Sequence, residues 1–184
     1  MKKPILLLVA TSLLTFFGCK ESNEKVSEKA TPESEVPAVG QSAVNDEISS
    51  PNIVQTASKS KDHTTLVAAV KAAGLVDVLS NAGPFTVFAP TNAAFEKLPK
   101  GTVEGLLKPE KKDDLKNILE YHTYVGNLKT DYMQDGQEYE EVNGGKIKIT
   151  KVGDKVFVNG SEIIASITTA NGMIHVINDV LLPK

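Results

Sequence analysis

The sequence predicts an α+β domain in which helices come first and a β-meander follows, and three observations carry that prediction. Leu66, Ala69, Val70 and Ala73 recur at the i, i+3, i+4, i+7 spacing that lays an apolar stripe along a helix. Lys146 to Thr150 sets Ile147 and Ile149 on one side and Lys146 and Lys148 on the other, the period of a half-buried strand. Asn143-Gly144 and Asn159-Gly160 bracket that region as hairpin turns, because a type I′ turn demands positive φ at both central residues. Helical periods followed by a run of strands define the α+β class.

Taken in order, apolar periodicity begins near Ile53, and Gly74 stands where the first strong helix must stop. Leu75, Val78 and Leu79 continue the pattern briefly. Phe85 to Ala89 is a short β-favouring run ended by Pro90, and either Thr91 or Asn92 can cap a helix carrying Ala94, Phe95 and Leu98. Thr102 similarly precedes Val103, Leu106 and Leu107. Asp113-Asp114 places negative charge at the start of a stronger helix whose face reads Leu115, Ile118, Leu119 and His122, ending near Gly126. Val156 and Val158 then alternate with Phe157. After Asn171-Gly172, the stretch from Met173 to Leu182 is largely apolar on both sides, as in a strand covered on both faces.

The N-terminus reads as an address. Met1-Lys2-Lys3 is a short basic region, and Ile5 to Phe17 is an apolar run of 13 residues, the length of a signal-peptide core and short of the ~20 needed to span a bilayer. It stops at Gly18-Cys19, immediately before Lys20-Glu21-Ser22-Asn23-Glu24, and Cys19 is the protein's one cysteine. The junction resembles a bacterial lipoprotein signal, which implies residues 1–18 as signal peptide and Cys19 as the lipidated first residue of the mature chain. Phe16 and Phe17 depart from the Leu and small residue usual before that cysteine. Residues 19–49 lack aromatics and any sustained period, so they read as a disordered linker reaching roughly 30 Å. The folded domain is assigned to residues 50–184.

Composition narrows the function. All 20 basic residues are lysine against 23 acids, a formal net charge of −3, and removal of Lys2 and Lys3 leaves 18 lysines and a charge of −5. Without arginine forks and with an acidic balance, nucleic acid is not an expected partner. One cysteine excludes an internal disulfide framework. His63, His122 and His175 lie at no metal-ligand spacing, so no metal or cofactor is expected. Nor is there a Gly-x-Ser-x-Gly elbow, a phosphate loop after a strand or a calcium loop. Asp113-Asp114 and Glu138 with Glu140-Glu141 read as solvated charges, and no catalytic residue is assigned.

Three segments resemble the fasciclin domain in sequence, order and spacing: Phe85-Thr86-Val87-Phe88-Ala89-Pro90-Thr91-Asn92-Ala93-Ala94-Phe95, Tyr121-His122, and Asn171-Gly172-Met173-Ile174-His175-Val176-Ile177. The resemblance runs from about Ile53 to Pro183. It implies a wedge or sandwich of β-strands with flanking helices, and a role as an extracellular adhesion or binding module. Phe85, Thr86, Phe88, Ala89, Pro90, Thr91, Phe95, Asn171, Gly172 and His175 read as structural motif positions, and His175 as a core histidine. In animal fasciclin domains the Tyr-His pair has been proposed as a partner-contact patch, which the resemblance places at Tyr121 and His122. Animal members also carry an Asp-Ile pair before the last motif. Here Ser166-Ile167 stands there, removing the carboxylate that an integrin's metal would need.

The expectation is therefore a lipid-anchored module of the cell envelope, delivered to the outer membrane, that binds an envelope or extracellular protein or glycan or a second copy of itself. The alternatives are a periplasmic accessory subunit of an envelope complex and, remotely, a small hydrolase using His122 or His175.

Overall fold

A computed structural model of the chain describes residues 50–183. The signal segment, Cys19, the linker to residue 49 and the terminal Lys184 lie outside the described residues. Among the described residues no helix is long and apolar enough to cross a membrane.

The chain enters through α1 (Ile53–Lys59), fixed by a reciprocal cap: Asn52 accepts from the Gln55 N–H at 2.8 Å, and Gln55 accepts from the Asn52 N–H at 3.0 Å. α2 (Thr64–Ala73) ends where Gly74 turns left-handed at φ 73°, and α3 (Val76–Ser80) follows at once. α4 (Asn92–Glu96) is capped by Thr91, whose hydroxyl accepts from the Ala94 N–H. Asn92 instead reaches back to α2, accepting from the Thr65 N–H at 3.0 Å and donating to the Lys61 carbonyl. α4 stops before Leu98, earlier than expected, and α5 (Thr102–Leu106) starts from Gly101 at φ 85°, not from a capping Thr102.

α6 ends earlier than its apolar spacing implies. It spans Lys112–Glu120, so His122 lies beyond it, and Thr123–Val125 forms strand β2 where a helix to Gly126 was expected. Tyr121 keeps helical dihedrals as the last cap, which lets the apolar spacing continue past the end of the helix.

The remaining strands are β1 (Phe85–Pro90), β3 (Glu138–Glu140), β4 (Lys146–Val152), β5 (Lys155–Val158), β6 (Ser161–Thr169) and β7 (Gly172–Ile177). They form a seven-stranded sheet in the order β2-β1-β7-β6-β5-β4-β3. β3 to β7 are the expected meander. β1 lies parallel to β7, from Phe85↔Gly172 to Pro90↔Ile177, while its other edge pairs antiparallel with β2. No local period announces such a pairing.

Of the three Asn-Gly sites, only Asn159-Gly160 is positive in φ at both residues, at 51° and 88°. At Asn143-Gly144 only the glycine is left-handed, and the loop closes by Gly144 N–H donating to Glu141 and Glu141 N–H donating to Gly145. The β6–β7 loop is Ala170-Asn171, so Gly172 already belongs to β7.

Helices cover one face of β1 and β7, and β4 and β5 of the same sheet pack over their other face. Val87, Ala89, Ile174 and Val176 pack with Leu66, Val70, Leu79, Leu115 and Leu119 on the helical side. Phe88 and Ile177 point oppositely, into a core with Tyr121, Met133, Ile147, Ile149, Val158 and Leu181. β1 and β7 are therefore apolar on both sides, as expected for the last strand. A fully buried side chain such as Phe88 contributes roughly 1.5–3 kcal/mol of transfer free energy.

Candidate functional site

The motif positions explain themselves as fastenings. Thr86, wholly buried, donates to the Gly126 carbonyl at 2.7 Å and accepts from the Leu128 N–H at 2.9 Å, tying β1 to the loop after β2. Asn171 accepts from the Ile53 N–H at 3.0 Å and donates to the carbonyls of Leu79 and Asn81 at 2.8 and 2.9 Å. One amide thus joins the start of α1, the end of α3 and the β6–β7 loop. Gly172 runs so close to β1 that a Cβ there would overlap the Phe85 carbonyl. Ala89 and Pro90 are buried, and Phe95 packs half-buried against the helical core.

His175 is completely buried and stacks on Phe88 with ring centroids 5.6 Å apart. Its Nε2–H donates to the Leu128 carbonyl at 2.6 Å, which leaves Nδ1 to accept from the exposed Ser166 hydroxyl at 2.7 Å. Burial lowers its pKa. The imidazole is held neutral between two strands and a loop, with a carbonyl where a catalytic pair would place a carboxylate.

Tyr121 and His122 are brought together at the end of α6 and both are buried, at 4% and 2% exposure. His122 accepts from the Leu181 N–H at 3.0 Å through Nε2, so its Nδ1–H donates to the Ile118 carbonyl at 2.7 Å. Both ring nitrogens are thereby used, and desolvation lowers the pKa to about 4. The Tyr121 hydroxyl donates to the Lys146 carbonyl at 2.8 Å and accepts from Asn159 at 3.0 Å. Its ring lies against Gly145, where a Cβ would approach within 2.7 Å. The pair is the clasp between α6, the β4–β5 region and the C-terminal segment.

What reaches the surface there is the groove that Tyr121 underlies. About 790 Å³ in volume, it is lined by Glu138, Lys146, Lys148, Thr150, Asn159 and the segment Asp179–Pro183. Lys146 sits 3.9 Å from Glu138, and Asp179 is held by Lys97 at 2.7 Å. A hydroxyl, an amide and charges of both signs share this open trough with the apolar Val180, Leu182 and Pro183. No group of three or more metal-capable side chains occurs among the described residues.

The fasciclin domain pattern matches residues 61–183. The chain belongs to the fasciclin domain family. Over 177 residues it is 44% identical to the Synechocystis sp. protein sll1483, a match covering 96% of each chain. MPB70 of Mycobacterium bovis, described as an immunogenic protein, is 33% identical over 137 residues, 71% of this chain and 68% of that one. Human periostin is 34% identical over 124 residues, 66% of this chain but 15% of periostin. The FAS1 domain pair of the insect cell adhesion molecule Fasciclin I superposes with a TM-score of 0.61 at 16% identity, covering 72% of this chain and 51% of that one, a likeness of fold.

Within this fasciclin domain two functional-looking residues escaped the sequence. Glu141 is not a solvated strand charge like Glu138 and Glu140: it is 3% exposed, and neither carboxyl oxygen has a hydrogen-bond partner. Desolvation raises its pKa to about 8. Asn159 was legible as a turn residue, but its side-chain bonds to Tyr121 and to the Lys148 N–H were not.

Proposed function

We propose that this chain is a non-catalytic binding module of the bacterial cell envelope, exported on residues 1–18, lipid-anchored at Cys19 and held off the outer membrane by residues 19–49. The groove over Tyr121 receives its partner, a polar protein segment or glycan of the envelope or its surroundings. The observation that carries this reading is the groove's lining. A trough that sets charges of both signs, a hydroxyl and an amide beside the apolar Val180, Leu182 and Pro183 suits an extended partner that carries polar groups along an apolar edge, as a peptide segment or a sugar ring does, and its floor is the hydrogen-bonded Tyr121 clasp. Membership in the fasciclin family and the fold likeness to a cell adhesion molecule support a binding role.

His122 and His175 support no hydrolase. His122 gives both ring nitrogens to backbone groups, His175, although its Nδ1 accepts from Ser166, is oriented by a carbonyl and not by a carboxylate, and burial lowers the basicity of both.

Binding to isolated envelope and matrix fractions tests the reading. Lys148→Glu, on the exposed rim, is expected to lower capture severalfold with an unchanged melting curve. Equal capture by both proteins would remove the groove from the account.

A further inference from the structure

β6 is unequally paired along its two edges. Against β7 it is paired nearly throughout, but β5 covers it only at Phe157↔Glu162 and Val158↔Ser161. Beyond Glu162 no strand lies on that outer edge among the described residues, and Ile164 to Thr168 are all exposed. The tip of the β4–β5 hairpin stands away from it across a hollow of about 450 Å³, lined by Lys151, Asp154 and Asp131.

The direction of the backbone groups follows from the hairpin. Its two-residue loop, Ala170-Asn171, closes on the pair Thr169↔Gly172, which must exchange hydrogen bonds. Alternation then turns Ile167 toward β7 and sends the N–H and C=O of Ser166 and Thr168 outward. The free stretch is bounded at both ends. A bulge between Ile163 and Ala165 bends the strand at one end, and at the other the Ala170 N–H is taken by the Pro51 carbonyl at 3.1 Å. What remains is Ala165-Ser166-Ile167-Thr168-Thr169, five uncharged residues centred on Ile167.

We propose that this edge of β6 pairs antiparallel with the same edge of a second copy of the chain, about a two-fold axis through Ile167. That register pairs Ser166 of each copy with Thr168 of the other and satisfies every outward backbone group of the window. Ile167, 38% exposed in one copy, meets its equivalent at the axis as a non-hydrogen-bonded pair, the closer of the two antiparallel spacings. The window lacks the devices that keep edges apart: it has no proline and no charge, so its own copy meets it without repulsion. Across the hollow, Lys151 of one copy and Asp131 and Asp154 of the other offer opposite charges at the rim. The contact is isologous, so it closes at two copies and does not propagate. It involves none of the groove residues and stands or falls separately from the groove.

Sedimentation of the full chain in density-matched detergent, over a wide concentration range, tests the pairing. A reversible shift from monomer to dimer is expected. Thr168→Pro deletes an outward N–H without touching the β7 ladder, and Ile167→Lys sets two charges against each other at the axis; each is expected to abolish the dimer while retaining capture by the groove. If Thr168→Pro lowers the melting temperature, Ile167→Lys decides. A chain that stays monomeric at every concentration overturns the proposal, as does a dimer that survives Ile167→Lys. A monomer whose Ser166 and Thr168 amides resist hydrogen exchange would give the edge to the chain's own upstream segment, and would equally overturn it.

Discussion

At the scale of single residues, two buried ionisable groups pull stability in opposite directions with pH. His122 is neutral in the fold down to about 4, whereas unfolding restores its ordinary value of 6.5. As pH falls, the unfolded state therefore takes up the proton first. The His122 contribution is constant above pH 6.5 and declines between 6.5 and about 4, by a total on the order of 3 kcal/mol. His63 and His175, also lowered by burial, act in the same sense. Glu141 works against the fold from the other side. It is protonated in the fold up to about 8 and ionises near 4.5 when unfolded, so its contribution worsens as pH rises from 4.5 to 8. Glu141→Gln, which cannot ionise, is expected to raise the denaturation midpoint at pH 8 and to change it little at pH 4.5. Equal effects at both values would mean that the buried carboxyl is not the source. Gly172→Ala has a simpler basis. Any Cβ there overlaps the Phe85 carbonyl where the parallel pair begins, so a loss above about 4 kcal/mol in chemical denaturation is expected.

At the scale of elements, the sequence was legible wherever a local rule governs. The α2 stripe with its Gly74 terminator, the alternating β4 and the doubly positive turn at Asn159-Gly160 are all set by residues near one another in the chain. It was misleading where a tertiary contact takes over from a period that continues by chance. Leu115, Ile118, Leu119 and His122 keep helical spacing, yet the backbone leaves the helix after Glu120 because the His122 carbonyl accepts from the Phe88 N–H of β1, at 2.8 Å. Burial of His122 was readable from that spacing; its location beyond the helix was not. Likewise Glu140 and Glu141 are the same residue type one position apart, yet Glu140 at the end of β3 faces solvent and Glu141, where the chain enters the following loop, turns inward. The parallel register of β1 on β7 left no local trace. Asn171 shows how such long-range joins are secured: Asn171→Ala strands the Ile53 N–H and two carbonyls, and a cost of about 2–4 kcal/mol is expected, with hydrogen exchange rising first in α1 and at the end of α3.

At the scale of the whole molecule, the arrangement separates rigidity from display. The motif residues by which the family is known are spent on holding the sheet, the helices and the C-terminal segment together, and Tyr121 and His122 do the same. What faces outward is less distinctive in sequence: the groove rim, and the open edge of β6. Candidate sites were therefore only half visible in advance. The Tyr-His pair led to the neighbourhood of the proposed groove, but the surface there comes from Lys146, Lys148, Thr150 and Asp179, which no motif singles out.

The most direct test of the proposed envelope display is protease treatment of intact and permeabilised cells, with the chain followed by immunoblot beside a periplasmic control. We expect loss from intact cells while the control survives. Protection until permeabilisation would contradict display at the cell surface and leave the chain as an accessory component within the periplasm.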